Sequence, residues 1–167
     1  MKQLSILRHA KAESPDSAAV DFERKLTERG QHDAQRIGKI IKHLKPPVEW
    51  VLSSPADRAL ETTNLVLSIL DEKPYVNWQQ GIYEASPGTL LHLLSGIPDG
   101  IEHALIVGHN PGLEELVAGL CNGVAAHPTI TLATAALAHV ELDIFSWDQI
   151  RWGCGSLQLL VTPKVLR

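Results

Sequence analysis

Short apolar segments alternate with amphipathic helical segments four times before residue 123, and this alternation limits the possible folds more than any other feature. The apolar segments span residues 2–8, 50–53, 75–78 and 103–108. Such a pattern predicts parallel strands in one sheet, joined by right-handed crossovers that place helices on both faces. After residue 135 the hydrophobic period changes to two, so the segments 136–142, 144–152 and 157–161 are expected to add antiparallel strands. The predicted fold is a three-layer α/β/α sandwich, formed by a single domain over residues 1–167, with a mostly parallel sheet and antiparallel C-terminal strands.

Capping and turn residues define the expected ends of the four helices. Thr27 is expected to cap a helix that runs to about Leu44, and Pro55 is expected to occupy the first position of the next helix. The third and fourth helices are expected over residues 88–96 and 111–121. Helical spacing predicts which side chains of the second helix face the sheet, and these are Leu60, Thr63, Leu67 and Leu70.

Composition and charge argue against several classes of protein. The formal net charge of -4 and the isoelectric point near 6.0 argue against nucleic-acid binding by bulk electrostatics. No apolar run approaches the ~20 residues that span a bilayer, and the start of the chain does not resemble a secretory signal. We therefore expect a cytoplasmic protein with no membrane partner. Cys121 and Cys154 are expected to be free thiols, and without a Cys-x-x-Cys pair no structural zinc site is expected.

Three of the predicted loops carry cationic or imidazole side chains at the ends of strands. Arg8 and His9 end the first strand, Arg58 lies just beyond the second, and His109-Asn110 follows the fourth. Because the carboxyl ends of parallel strands meet at one edge of a sheet, these loops are expected to converge. Two of them lead into helix N-termini, whose free N–H groups attract anions. The sequence therefore predicts a phosphate pocket without a nearby obligatory carboxylate.

The predicted pocket suits phosphoryl transfer to a histidine. A neutral His9 can attack phosphorus in line with the leaving group, and water can then hydrolyse the phosphohistidine that forms. The side chains expected to bind the phosphate oxygens are Arg8, Arg58, His109 and Asn110. The arginines and His109 would also stabilise the charge that spreads in the transition state. Because these side chains neutralise the phosphate, neither a metal ion nor another cofactor is expected.

Four short motifs, in this order, resemble the histidine phosphatase superfamily, the group that includes cofactor-dependent phosphoglycerate mutase. The motifs are Leu7-Arg8-His9-Ala10-Lys11, Arg24-Lys25-Leu26-Thr27-Glu28-Arg29-Gly30, Ser53-Ser54-Pro55-Ala56-Asp57-Arg58-Ala59 with Glu61-Thr62, and Val107-Gly108-His109-Asn110-Pro111. The resemblance covers essentially the whole chain, and the short, insert-free SixA-like phosphohistidine phosphatases match best. It implies metal-independent phosphatase activity through a phosphohistidine intermediate and a pocket role for Arg24.

Two departures from the family pattern bear on the reaction. Lys25 stands where the family usually has proline, and the chain has no room for the inserted segment that carries the general acid in larger members. Glu84 sits near the corresponding place and is the candidate acid. A protonated phosphohistidine has a good leaving group and depends less on an enzymatic acid than an alkyl phosphate ester does. The expected substrate is therefore a phosphorylated protein or peptide, for example a histidine-phosphorylated signalling or transport protein.

Three other functions remain open from the sequence. A small-molecule phosphomonoesterase of the same family would hydrolyse a sugar or nucleotide phosphate and leave phosphohistidine intact. A catalytically weak phosphate-binding or adaptor protein would bind vanadate or phosphate without turnover. A histidine-ligated metal hydrolase would lose activity with chelators, and the lack of an acidic cluster beside His9 and His109 argues against it. The other histidines are expected to be surface or packing residues, and they are His32, His43, His92, His103, His127 and His139.

Overall fold

The computed structural model describes residues 1–123 and 130–167, which form one six-stranded sheet with helices on both sides. The strands are β1 (Lys2–Arg8), β2 (Trp50–Ser53), β3 (Tyr75–Trp78), β4 (His103–Gly108), β5 (Leu137–Leu142) and β6 (Gly155–Val161). Their order in the sheet is β3-β2-β4-β1-β5-β6. The first four strands run parallel, β5 pairs antiparallel with β1, and β6 pairs antiparallel with β5. The expected α/β class and mostly parallel sheet are confirmed.

Two pairs of helices cover the two faces of the sheet. The helices are α1 (Glu28–His43), α2 (Asp57–Ile69), α3 (Pro87–Ser95) and α4 (Gly112–Asn122). α1 and α2 pack against each other and over one hydrophobic cluster, while α3 and α4 pack over the other. Neighbouring residues of a strand face opposite sides, so Leu105 of β4 lies in the first cluster and Ile106 in the second. This arrangement is the expected three-layer sandwich.

The start of α2 differs from the sequence-based expectation. Pro55 was expected at the first helical position, but the helix begins at Asp57. The Ser54 hydroxyl accepts a hydrogen bond from the N–H of Ala56 at 3.2 Å, so the residues before the helix form a turn. This turn leaves Arg58 in the first turn of α2, as predicted, and brings Ser54 to the same edge of the sheet.

The inward face of α2 also differs in part from the expectation. Of the four side chains expected to face the sheet, Thr63 and Leu70 are buried, whereas Leu60 and Leu67 are only half-buried. Thr62 is fully buried in their place, because its hydroxyl oxygen accepts the N–H of Ala10 at 3.0 Å. A buried hydroxyl that finds a partner costs little, so the inward face of this helix combines hydrogen-bonded threonines with Ala59 and Val66, which are fully buried.

Residues 144–152 do not form the expected strand. They contain a short 3₁₀ turn at Trp147–Gln149, which the side chains of Ser146 and Gln149 cap in both directions. Trp147 is fully buried against the α3 and α4 layer, and its Nε1 donates a hydrogen bond to the carbonyl of Ile101 at 2.8 Å. Ile144 and Ile150 are buried in the same layer, so the buried residues of this segment are spaced by three, which fits a 3₁₀ turn and not a strand.

Two of the histidines expected to be packing residues form a buried polar chain with Ser5. The Ser5 hydroxyl lies 2.9 Å from Nε2 of His103 and 3.0 Å from Nδ1 of His139. Nδ1 of His103 lies 2.7 Å from the carbonyl of Pro46 and donates to it, because a carbonyl only accepts. His103 therefore accepts from Ser5 at Nε2, and Ser5 accepts from His139. The histidines exposed as expected are His32, His43 and His92, and His127 lies outside the described residues.

No helix in the part of the chain that the structure describes is a candidate to span a membrane. Within residues 1–123 and 130–167, no helix has both the length and the apolar surface needed to cross a bilayer.

Candidate active site

The three predicted loops meet at one edge of the sheet. β1 and β2 both lie next to β4, and the register pairs Arg8 with Gly108 where β1 and β4 end together. The backbone N–H of His9 then donates to the carbonyl of Gly108 at 3.0 Å. As a result, the imidazole rings of His9 and His109 lie with their centroids 5.2 Å apart. Residues that are 100 positions apart in the sequence thus form one cluster, as the parallel topology predicts.

The environment of His9 keeps its imidazole neutral and leaves one ring nitrogen free. The residue is only 7% exposed, and burial lowers its pKa to about 3, with the charges of His109, Arg58 and Arg8 acting in the same direction. Nδ1 lies 2.8 Å from the carbonyl of Ala10 and donates to it. The proton of the neutral ring therefore sits on Nδ1, and Nε2 carries an available lone pair.

His109 is neutral for similar reasons and presents a different group. Burial, followed by the charge of Arg58, lowers its pKa to about 4. Its Nε2 lies 2.8 Å from the hydroxyl of Ser54, which already accepts the N–H of Ala56. The Ser54 hydroxyl still has one proton and one lone pair, so this contact fits either neutral tautomer of His109. Nδ1 of His109 is buried and has no hydrogen-bond partner among the described residues.

Two arginines bring further N–H donors to the cluster. Nη1 of Arg8 donates to the carbonyl of Leu132 at 2.9 Å, and Arg58 donates from Nη1 and Nη2 to the backbone and side chain of Asp21 at 2.8 and 2.9 Å. The Nε atoms of both arginines are buried and find no partner within the described ranges. The same holds for Nδ1 of His109, so three buried nitrogens of the cluster, two of them guanidinium donors, have no partner among the described residues. Such a set is suited to an anion with several oxygens.

Asp21 contacts two of the arginines, although the sequence pattern predicts no carboxylate at this site. Its Oδ1 accepts from Nε of Arg24 at 2.9 Å, and its Oδ2 accepts from Arg58 and from the hydroxyl of Tyr83 at 2.6 Å. The Tyr83 hydrogen bond and the two arginines lower the pKa of Asp21, and the same contact raises the pKa of Tyr83. Asp21 is therefore ionised at neutral pH, so it balances charge and is not a proton donor.

Arg24 lies beside Asp21. Its Nε binds Asp21, and its Nη1 donates to the carbonyl of Glu13 at 2.8 Å. Its charge still contributes to the lowered pKa of His109, which places Arg24 near the pocket. The guanidinium holds Asp21 in position and contributes to the positive field of the pocket.

Asn110 holds the loop around His109 through its side chain. Its Nδ2 donates to the carboxylate of Glu114 at 2.9 Å and to the carbonyl of Leu132 at 2.8 Å. Both side-chain N–H bonds are therefore occupied, and Oδ1 has no partner among the described residues. The expected contact between Asn110 and a phosphate stays a prediction.

Glu84 lies on an open cleft beside His109. The cleft has a volume of about 520 Å³ and is lined by Glu84, Ala85, Ser86, Pro87, His109, Asn110, Pro111 and Glu115. The backbone of Glu84 has φ of 56°, which is uncommon for a residue other than glycine. Gly112 allows the loop to pack closely here, since a Cβ at that position would collide with the carbonyl of Ala85. The side chain of Glu84 is exposed and shares this cleft with His109.

The described residues contain no candidate metal-binding site. Within residues 1–123 and 130–167, no group of three or more His, Cys, Asp or Glu side chains is placed to bind a metal ion.

Comparison with known proteins gives one consistent family. The family model for the histidine phosphatase superfamily (branch 1) matches residues 4–93. The phosphohistidine phosphatase SixA of Escherichia coli (strain K12) is 31% identical in an alignment of 156 positions that covers 87% of this chain and 92% of that protein. His109 and the end of α4 lie beyond the residues that the family model matches, but inside the broader similarity to whole proteins.

Solved structures agree with the sequence comparison. A structure of the protein histidine phosphatase SixA complexed with tungstate is 28% identical, covers 99% of each chain and has a TM-score of 0.83. The α-ribazole phosphatase from Shigella flexneri is 16% identical and covers 96% of each chain with a TM-score of 0.72. At this lower identity the second likeness concerns the fold alone.

Proposed function

The chain belongs to the histidine phosphatase superfamily and is a phosphatase, and from this premise we propose that it hydrolyses phosphohistidine on a phosphorylated protein or peptide. His9 is the proposed nucleophile. The observation that carries this proposal is the hydrogen bond from Nδ1 of His9 to the carbonyl of Ala10, which leaves Nε2 unprotonated near two arginines whose Nε donors have no partner among the described residues. The similarity to the phosphohistidine phosphatase SixA supports the choice of substrate.

In the proposed reaction the phosphoryl group moves twice. Nε2 of His9 attacks phosphorus, the bond from phosphorus to the substrate nitrogen breaks, and the departing imidazole keeps its proton. Water then attacks the phosphohistidine at position 9, releasing inorganic phosphate and regenerating the neutral ring. Arg8, Arg58 and Nδ1–H of His109 bind the equatorial oxygens and stabilise the charge that spreads over them in both steps.

The need for a general acid depends on the leaving group. A protonated imidazole leaves without further help, whereas an alkoxide must receive a proton. Since Asp21 is ionised, Glu84 on the cleft beside His109 is the proposed donor for less reactive substrates. We expect Glu84→Gln to retain hydrolysis of phosphohistidine and to lose hydrolysis of alkyl phosphate esters.

The proposal is tested by trapping the covalent intermediate. Brief mixing with a ³²P-labelled phosphohistidine protein, followed by peptide mass spectrometry, should place the phosphoryl group on His9. His9→Ala should abolish both the label and the turnover, while His32→Ala, which alters an exposed histidine of α1, should behave as wild type. Full activity of His9→Ala, or a label on another residue, would contradict the proposal.

A second candidate, a small-molecule phosphomonoesterase, is favoured by the cleft of about 520 Å³ next to His109. That volume can hold the leaving group of a sugar or nucleotide phosphate. A substrate panel separates the candidates, because high turnover of such an ester without turnover of phosphohistidine favours the second. Tight binding of vanadate with no turnover of either class would instead indicate a phosphate-binding or adaptor protein.

A further inference from the structure

Arg8 is held by the carbonyl of Leu132, a residue that reaches the site from the segment leading into β5. Nη1 of Arg8 donates to this carbonyl at 2.9 Å, and the backbone N–H of Arg8 donates to the carbonyl of Ala136 at 3.1 Å. The N–H of Ala135 donates to the carbonyl of His9 at 3.0 Å. The segment from Leu132 to Ala136 therefore runs along Arg8 and His9 and fixes their backbone as well as one side chain.

Glu114 of α4 anchors the far end of this segment. Its Oε1 accepts the backbone N–H of Leu132 at 2.8 Å and Nδ2 of Asn110 at 2.9 Å. Nδ2 of Asn110 also donates to the Leu132 carbonyl at 2.8 Å, so the carbonyl that holds Arg8 has a second donor on it. Leu132 is fully buried, and this network of one carboxylate and one amide holds its N–H and its carbonyl.

From this network we propose that Glu114 is a positioning residue for phosphoryl transfer: it fixes Leu132, whose carbonyl orients the guanidinium of Arg8 towards the phosphoryl group. The inference rests on the proposed role of Arg8 at His9. The hydrogen bond from Nη1 to the carbonyl of Leu132 restricts the orientation of the guanidinium. It therefore also restricts the direction of the Nε–H bond of Arg8, which has no partner among the described residues. A donor that is already oriented costs no reorganisation when charge develops on the phosphoryl oxygens.

Charge and geometry make separate predictions for Glu114. Burial lowers the pKa of Arg8, and the carboxylate of Glu114 raises it again, which favours the charged guanidinium. Glu114→Gln keeps an oxygen at the same reach and removes the charge, whereas Glu114→Asp keeps the charge and shortens the reach. If Glu114 acts by positioning, the glutamine variant is close to wild type, and the aspartate and alanine variants lose kcat on the order of 10- to 100-fold.

A matched control lies at the opposite edge of the sheet. Oε2 of Glu49 accepts two backbone N–H groups, from Glu102 at 2.6 Å and from His103 at 3.3 Å. Glu49→Ala therefore removes the same kind of contact as Glu114→Ala but far from the site in the topology. Both variants should lower Tm, and only Glu114→Ala should lower kcat for an aryl phosphate and weaken inhibition by vanadate.

The experiment combines these variants with Arg8→Ala. In the Arg8→Ala background, Glu114→Ala should cause no further loss of kcat, because the group that it orients is already gone. A full additional loss in that background, or an active aspartate variant beside an inactive glutamine variant, would overturn the inference. Wild-type kcat in folded Glu114→Ala would do the same. If Arg8→Ala itself has wild-type activity, the proposed site fails, which is a different result from the failure of Glu114 alone.

Discussion

At the scale of single residues, burial and hydrogen bonding decide what each group at the site can do. His9 and His109 have pKa values lowered to about 3 and about 4, so both rings are neutral at physiological pH. The arginines carry the positive charge, and Asp21 balances part of it. In the proposed reaction, the site separates a neutral nucleophile from permanently charged groups that bind the anion.

Arg58 and Arg24 test which guanidinium touches the phosphoryl group. Arg58→Ala should lower kcat/KM on the order of 10²- to 10³-fold, because it removes a buried donor to the transition state. Arg24→Ala should lower it by no more than about fivefold, the equivalent of a 1 kcal/mol ion pair near the surface. Steady-state hydrolysis of an aryl phosphate checks both. Equal losses would mean that Arg24 contacts the phosphoryl group directly.

His109 should become easier to protonate when an anion binds. A tetrahedral anion close to its ring favours the imidazolium, so vanadate should raise the pKa of His109 from about 4 by about 1 to 3 pH units. NMR titration of the histidine ring signals with and without vanadate measures this change. The exposed His92 is the internal control and should not shift. An unchanged His109 would remove it from the anion site.

Residues next to the ends of strands were predictable, and residues that reach the site from loops were not. Arg8, His9 and His109 follow apolar strands directly, so their position is fixed by the sheet. Asp21 comes from a loop without hydrophobic periodicity, and its pairing with Arg58 spans 37 positions. No local pattern reports such a contact, although a cluster of buried cations implies that some carboxylate must lie nearby.

At the scale of secondary-structure elements, close packing brings α1 to the site edge of the sheet. Thr27 caps α1 as predicted, since its hydroxyl accepts the N–H of Gly30 at 3.0 Å. The N–H of Thr27 donates to the carbonyl of Lys11 at 2.9 Å, and a Cβ on Gly30 would collide with that same carbonyl. Glycine is therefore required where α1 meets the loop after His9. The sequence predicted this helix well because its cap and its apolar stripe are both local signals.

The buried chain of His103, Ser5 and His139 should make stability depend on pH. Burial lowers the pKa of His103 from 6.5 to about 4, so below pH 6.5 the unfolded chain binds a proton that the folded protein does not. The free energy of unfolding should therefore fall as the pH drops from 6.5 towards 4, by up to about 1.4 kcal/mol per pH unit for each such histidine.

Urea denaturation at pH 7, 6 and 5 measures this dependence. His103→Gln should be less stable than wild type at pH 7 and should lose less stability between pH 6 and 5. His43→Gln, which replaces an exposed histidine, should follow the wild-type curve. A curve for His103→Gln as steep as that of wild type would show that another group causes the acid sensitivity.

At the scale of the whole molecule, the net charge is -4, yet several cationic side chains are concentrated at one edge of the sheet. Because these side chains neutralise the phosphoryl group, phosphatase activity should persist after extended dialysis against EDTA. The measurement is turnover before and after dialysis, with and without added Mg²⁺ or Zn²⁺. Activity that disappears with EDTA and returns with a metal would contradict the proposed mechanism.

The whole fold was predictable in outline because its strongest signals repeat. Four apolar strands alternate with helices, and each repeat supports the same parallel topology. The segment 144–152 was misjudged because its buried residues, Ile144, Trp147 and Ile150, are spaced by three and not by two. The rotation of α2 was misjudged in part because Thr62 finds a partner in the interior, which a hydrophobic pattern does not report.

The place of β4 in the sheet affects how the protein can emerge from a ribosome. β4 ends at Gly108 of 167 residues, yet it lies between β2 and β1, which are synthesised long before it. In the folded sheet β2 and β1 do not pair with each other, so until β4 is made each has an edge without its final partner. We expect slow synthesis of the stretch between them to favour aggregation of the nascent chain, and chaperones that cover these edges to reduce it.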